Sequence, residues 1–187
     1  NYGKERNLIC KIRVYMKNIL MMIILVFCQL WAGKAETVEI FSDIMNKNIP
    51  AFIVIPDSYS GGNDSLPVIL LLHGYGGDYK NWSSKTNLLR QADEFNFIIV
   101  CPDGNRNSWY LDSPIDPESQ YKTFFINELV PWIKKNFRTN QMGITGLSMG
   151  GHGAFYLAIR HPELFDAVSG MSSGVDLTFS TVKWELA

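Results

Sequence analysis

The run Gly146-Leu147-Ser148-Met149-Gly150 sets one hydroxyl between two glycines. Met142 to Thr145 before it reads as a short strand, and Met149 to Arg160 after it reads as a helix. At such a junction the chain turns sharply and lifts the Ser148 hydroxyl clear of the sheet. The glycines are needed there because side chains would strike neighbouring backbone. The helix that follows aims its first amides and the positive end of its dipole at the same point. This combination suits nucleophilic attack by Ser148 on a carbonyl carbon. A second group, His73-Gly74-Tyr75-Gly76-Gly77, follows the apolar run Val68-Ile69-Leu70-Leu71-Leu72. Its glycines let backbone amides approach a reacting carbonyl, whose developing negative charge needs N–H donors. His73 reads as an organiser of that loop rather than as an acid or base.

The elements that must position these groups alternate. Residues 37–44 and 48–55 read as two strands joined at Asn46-Lys47-Asn48, and a polar Gly-rich loop spans Ser58 to Ser65. Residues 68–72 read as a strand buried on both faces. A helix over 84–95, a strand over 97–101 and a long loop over 102–117 come next, then a helix over 118–137, which Pro131 should kink. The strand at 142–145, the helix at 149–160 and a strand at 166–171 complete the series. Repeated strand and helix predict an α/β fold whose mainly parallel sheet is covered on both faces, with the ligand crevice at the carboxyl ends of the strands.

Composition narrows the function classes. The 187 residues carry 17 Lys and Arg against 18 Asp and Glu, and 47% are apolar. That is one globular domain, and it lacks the basic face of a nucleic-acid binder. From Met16, a lysine, an apolar run over 19–31 and Ala32-Gly33-Lys34-Ala35 follow the pattern of a secretory signal peptide cleaved after Ala35. The run is too short to span a bilayer, so no stable membrane association is expected after cleavage, and the location is secreted or periplasmic. Residues 1–15 precede this plausible start and read as an upstream artefact. Leaving out residues 1–35, with Lys4, Arg6, Lys11, Arg13, Lys17, Lys34 and Glu5, gives a domain of net charge −6 with Cys101 as its one cysteine. Cys101 reads as a small buried apolar residue. No metal-ligand spacing or phosphate loop is present, so no cofactor and no metal are implied.

Several runs together resemble a known family. They are Leu71 to Gly77, Pro102-Asp103-Gly104, Ser108-Trp109-Tyr110, Glu128-Leu129-Val130-Pro131 and Gly146 to Ala154. From about Ile55 to Ser173 the chain is similar to the esterase D-like branch of the α/β-hydrolases. That branch holds S-formylglutathione hydrolases, feruloyl and acetylxylan esterases, tributyrin esterases and mycolyltransferases. The resemblance implies that Ser148 forms an acyl-enzyme from a small-molecule or polysaccharide ester, with a His as general base and an Asp orienting it. It also implies an oxyanion hole built from a loop amide, Tyr75 first and Gly74 next, and from the amide of Met149.

The family's chain order is Ser, Asp, His, and here the sequence departs from it. Only 39 residues follow Ser148, and the two histidines among them, His152 and His161, match structural positions of the family. Asp166 and Asp176 come too early to be the triad acid. The expectation is therefore the amino-terminal part of a larger catalytic domain, which lacks its triad Asp and His, exposes an apolar sheet edge and has lost roughly a millionfold in turnover. Trp109, Tyr110 and Asp112 either line a substrate pocket or cover the edge of the sheet. A non-catalytic carbohydrate-binding relative and an acyltransferase remain the alternative functions.

Overall fold

The computed structural model describes residues 34–59 and 65–177, together with Met16. The expected leader therefore lies almost wholly outside the described residues, as does most of the polar loop before Ser65. Strands β1 (Lys34–Ser42) and β2 (Lys47–Ile55) form the amino-terminal hairpin, in register from Lys34 opposite Ile55 to Ser42 opposite Lys47. Asn46 closes its turn at φ 49°, a left-handed conformation that asparagine tolerates. β1 begins at Lys34, two residues before the expected start of the domain.

Strands β3 (Val68–Leu72), β4 (Ile98–Pro102), β5 (Met142–Gly146) and β6 (Ala167–Val168) follow, and the sheet order is β1-β2-β4-β3-β5-β6. The hairpin joins β4 antiparallel, and β4, β3, β5 and β6 run parallel. The carboxyl ends of β3, β4 and β5 therefore open on the same side, and their loops carry the candidate chemistry. The sixth strand is shorter than expected, although bonding to β5 continues beyond it. Asp166 N donates to Met142 O, Ser169 N to Ile144 O and Met171 N to Gly146 O.

Helix α1 (Leu88–Phe95) packs Leu88 and Ala92 on Val54, Ile99 and Cys101. The opposite face of the sheet holds the main core. There Leu70, Leu72 and Val100 meet Phe124, Phe125, Leu129, Ile133 and Leu157, all with no exposed surface. Burying each such side chain contributes about 1.5 to 3 kcal/mol. β3 is thus asymmetric: Val68, Leu70 and Leu72 are buried, but Ile69 and Leu71 on the α1 face are only half-buried. The expectation of full burial on both faces holds for β4 instead.

Two helices differ from their expected form. The segment 84–87 does not start α1. Ser84 N bonds Lys80 O, and Lys85 and Thr86 both bond Trp82 O, because the Trp82 indole N–H reaches the Leu72 carbonyl at 3.0 Å and holds this stretch in turns. The true cap is Asn87, whose side chain accepts from Arg90 N at 3.1 Å. In the second case, α2 (Tyr121–Phe124) and α3 (Val130–Asn136) are joined by a π-helical segment, Phe125–Leu129, in which Val130 N reaches back to Phe125 O. Pro131 lacks an N–H, and its ring clashes with the carbonyl four residues back in a regular helix. A widened turn just before it removes both conflicts, so the expected kink is realised as a π-bulge.

Candidate active site

Helix α4 (Met149–Arg160) starts directly after β5, and Ser148 stands at its N-cap with φ 55° and ψ −112°. A non-glycine residue in this region carries strain of about 1 to 3 kcal/mol and persists only when its surroundings hold it. Here Ser148 N donates to Met171 O at 2.8 Å, and Ser148 O accepts from His152 N at 3.0 Å. Both flanking glycines are sterically required. A Cβ on Gly146 would lie 2.5 Å from the Gly150 carbonyl carbon, and one on Gly150 would lie 2.6 Å from the His73 carbonyl oxygen. The half-buried Ser148 therefore sits on a tight elbow, with the first-turn amide of Met149, which helix geometry leaves without an intrahelical acceptor, beside it.

The loop after β3 closes on this elbow. A Cβ at Gly74 would be 3.7 Å from Ser148 Cβ and 3.2 Å from Leu147 O, so the loop backbone passes against the candidate nucleophile. Gly76 N donates to Arg106 O at 2.8 Å and Gly77 N to Gly74 O at 3.0 Å, which commits those two amides to the loop itself. The candidate donors Gly74 and Tyr75 lie in the turn that these bonds define. His73 is 1% exposed. Its Nε2 accepts from Gly104 N at 2.9 Å, which places the ring proton on Nδ1, where it donates to Gly74 O at 2.9 Å. His73 thus ties the loop after β3 to the loop after β4.

That tie was not assigned from the sequence, although Pro102-Asp103-Gly104 marks a turn at the end of β4. Asp103 Oδ1 accepts from Asn105 N at 2.8 Å, which bends the chain and presents the Gly104 amide to His73. Ser108, in one of the runs that carry the resemblance, supports the same turn, a role its sequence neighbours do not reveal. Its hydroxyl donates to the Gly104 carbonyl and accepts from Tyr110 N at 3.0 Å.

Trp109 and Tyr110 adopt φ 52° and 60° and are 3% and 0% exposed. Tyr110 lies inside, with its hydroxyl donating to His73 O at 3.0 Å, so the role it displays is support of the loop. Trp109 O accepts from His152 Nδ1 at 3.0 Å. Asp112 accepts from Thr123 N at 2.9 Å and Thr123 Oγ1 at 2.7 Å, and pairs with Lys122 at 3.0 Å. Burial pushes its carboxyl up, but those hydrogen bonds and the Lys122 charge together outweigh burial and hold it below the usual carboxylate range. Its side chain caps the start of α2.

The remaining histidines are also engaged. His152, on α4 one turn past Ser148, stacks on Tyr156 at 5.6 Å, and burial lowers its pKa, with the Arg160 charge adding to the effect. His161 Nδ1 faces Glu163 at 3.4 Å. Asp166 Oδ2 accepts from Met142 N at 2.7 Å. All three histidines of the chain are described, and each has partners other than the Ser148 hydroxyl. An apolar groove of about 610 Å³ runs along α4 from His152 to Arg160, and Ser148 is not among its walls.

The model of the family described as "Putative esterase" matches residues 42–185. Esterase MT1326 of Mycobacterium tuberculosis is 33% identical over 133 residues, covering 67% of this chain and 29% of that protein. The acetyl esterase of Caldicellulosiruptor saccharolyticus is 26% identical over 149 residues, covering 74% of this chain and 55% of its own. Among solved structures, a ferulic acid esterase superposes with a TM-score of 0.69 at 30% identity, over 76% of this chain and 60% of that one. The chain therefore spans between 29% and 60% of the length of these relatives. With the elbow, the glycine loop and the mixed sheet of an α/β-hydrolase in place, the chain belongs to this esterase family.

Proposed function

We propose that the protein is a secreted serine carboxylic-ester hydrolase in which Ser148 attacks the carbonyl carbon of a short acyl, acetyl or feruloyl ester, including such esters on polysaccharide side chains. The observation that carries the reading is Ser148 at φ 55° at the head of α4 with Gly74 packed against it. In the proposed reaction the Ser148 oxygen bonds to the carbonyl carbon and its proton passes to a histidine. The carbonyl oxygen becomes an oxyanion held by the amides of Met149 and of Tyr75 or Gly74. Collapse expels the alcohol, which takes the proton, and water then releases the acid by the same route.

Because His73, His152 and His161 are held elsewhere, the proposed general base and its orienting Asp come from outside this sequence, and the 187 residues alone turn over ester negligibly. The acyl range is supported by the acetyl esterase and ferulic acid esterase among the similar proteins. Export is supported by the apolar run over 19–31 and the small residues after it. The test is hydrolysis of p-nitrophenyl acetate and methyl ferulate by the full-length gene product beside Ser148→Ala. Loss of roughly a millionfold in turnover is expected. Equal rates refute the assignment, and acyl transfer to an added sugar in preference to water replaces hydrolase with transferase.

A further inference from the structure

Two adjacent bulky residues at positive φ need an explanation, since strain of this kind is retained where the surroundings over-determine it. Tyr110 is held from four sides. Its ring fits between Gly104 and Gly153, where a Cβ would come within 2.6 Å of ring Cζ and 2.5 Å of ring Cγ respectively. Phe125 meets the ring edge-on at 5.3 Å, and the ring lies 5.9 Å from that of His73. The preceding carbonyl, that of Trp109, is fixed by His152 on the nucleophile helix. All of this delivers the hydroxyl to one acceptor, the carbonyl oxygen of His73.

A trans peptide is planar, so its C=O and N–H point in opposite directions. Fixing the His73 carbonyl toward Tyr110 therefore fixes the Gly74 N–H on the other side of the same plane. The next plane is fixed likewise: Gly74 O accepts from His73 Nδ1 at 2.9 Å and from Gly77 N at 3.0 Å, which sets the direction of the Tyr75 N–H. Those two amides are the loop donors proposed for the oxyanion.

We propose that the Tyr110 hydroxyl and the His73 ring are positioning residues that set the two successive peptide planes carrying the oxyanion amides. This rests on Ser148 being the nucleophile of an esterase. Tyr110 couples the nucleophile helix, through His152 and Gly153, to the loop that receives the oxyanion, so both halves of the site keep one geometry. Burial, with the Asp103 charge adding to it, raises the Tyr110 pKa well above its ordinary value and keeps the hydroxyl a donor.

The test is Tyr110→Phe in the full-length gene product, which keeps the ring and removes one hydrogen bond. Removal of one oxyanion donor outright costs about 10²- to 10³-fold in kcat, so a mis-set donor should cost about 10- to 100-fold, with KM changed less than about twofold. The matched control is Tyr59→Phe, which also deletes one hydroxyl bond to backbone, the one accepted from Arg138 N at 2.9 Å. It should lower the melting temperature without touching kcat. In ¹⁵N spectra of the full-length gene product, Tyr110→Phe should shift the Gly74 and Tyr75 amides, and Tyr59→Phe should leave them in place. Should Tyr110→Phe fail to fold, His73→Asn frees the second plane and should show the same loss confined to kcat. A folded Tyr110→Phe with wild-type kcat and unmoved amides overturns the proposal. Ser148→Ala at wild-type rate overturns instead the esterase reading beneath it.

Discussion

Replacing Gly150 by alanine sets two effects of opposite sign against each other. On helix propensity alone, alanine should stabilise α4 by about 1 kcal/mol. The structure opposes this, because the new methyl would press on the Leu72 carbonyl oxygen and lie 2.6 Å from the His73 oxygen and 2.7 Å from the Leu72 carbonyl carbon, where ordinary contact begins at 3.4 Å. These neighbours are backbone at the end of β3, which is paired to β4 on one side and β5 on the other, so no side chain can swing away. Overpacking typically costs about 1 to 3 kcal/mol, and rigid backbone neighbours place this case near 3. The net loss is about 2 kcal/mol. At about 2 to 4 °C per kcal/mol for a domain near 150 residues, the midpoint should fall by about 4 to 8 °C in a thermal melt followed by circular dichroism. Gly151→Ala should be milder, since the Ser173 hydroxyl in its way can rotate, the Ser173 Cβ at 2.9 Å needs only a small shift, and the Gly146 backbone oxygen stands farther off at 3.1 Å. A Gly150→Ala protein that melts at or above the wild-type temperature would refute the packing argument for the elbow.

Other expectations concern buried and titrating groups. Burial pushes the Cys101 thiol up to about 12, so it should stay inert to a disulfide reagent at pH 8 and react stoichiometrically once the chain is unfolded. His152 has a depressed pKa, so the unfolded chain takes up its proton more readily. Stability present above about pH 6.5 should therefore be lost as pH falls through the folded value, and urea midpoints at pH 7 and pH 5 should differ less in His152→Gln. Glu128 accepts from the Ser42 hydroxyl at 2.6 Å and from Ile44 N at 3.1 Å. Glu128→Ala should thus lower unfolding stability by about 1 to 3 kcal/mol and speed amide exchange in the β1–β2 turn.

The parts legible in the sequence were those with a local steric or periodic cause. Gly146 and Gly150 bracket Ser148 because the elbow admits no side chain, and the apolar run at 68–72 could hardly lie anywhere but in the sheet interior. What was not legible depends on pairings between distant residues. Asn87, not Ser84, caps α1 because Trp82 reaches back to Leu72. Tyr110 has the composition of a pocket wall, yet it points inward because Gly104 and Gly153, 49 positions apart in the sequence, leave a slot of its shape. Asp112 could have served a substrate, but Thr123 and Lys122 claim it. The signal for His73 lay in the turn residues Pro102-Asp103-Gly104, whose purpose shows only when β3 and β4 stand side by side.

The bulge before Pro131 also sets the angular phase of the two helices it joins. Tyr121 and Ile133 are twelve positions apart, and at about 100° per residue an unbroken α-helix would point them about 120° away from each other. Counting one residue as looped out reduces the difference to about 20°, and both side chains are in fact buried. Deleting one residue at the exposed Asn127 would restore a regular hydrogen-bond ladder and leave Ile133 on the face of Tyr121, but it would bring back the clash of the Pro131 ring with the carbonyl four residues before it. The irregular turn is thus the more economical helix, because one surplus residue keeps a single apolar stripe on both sides of a proline.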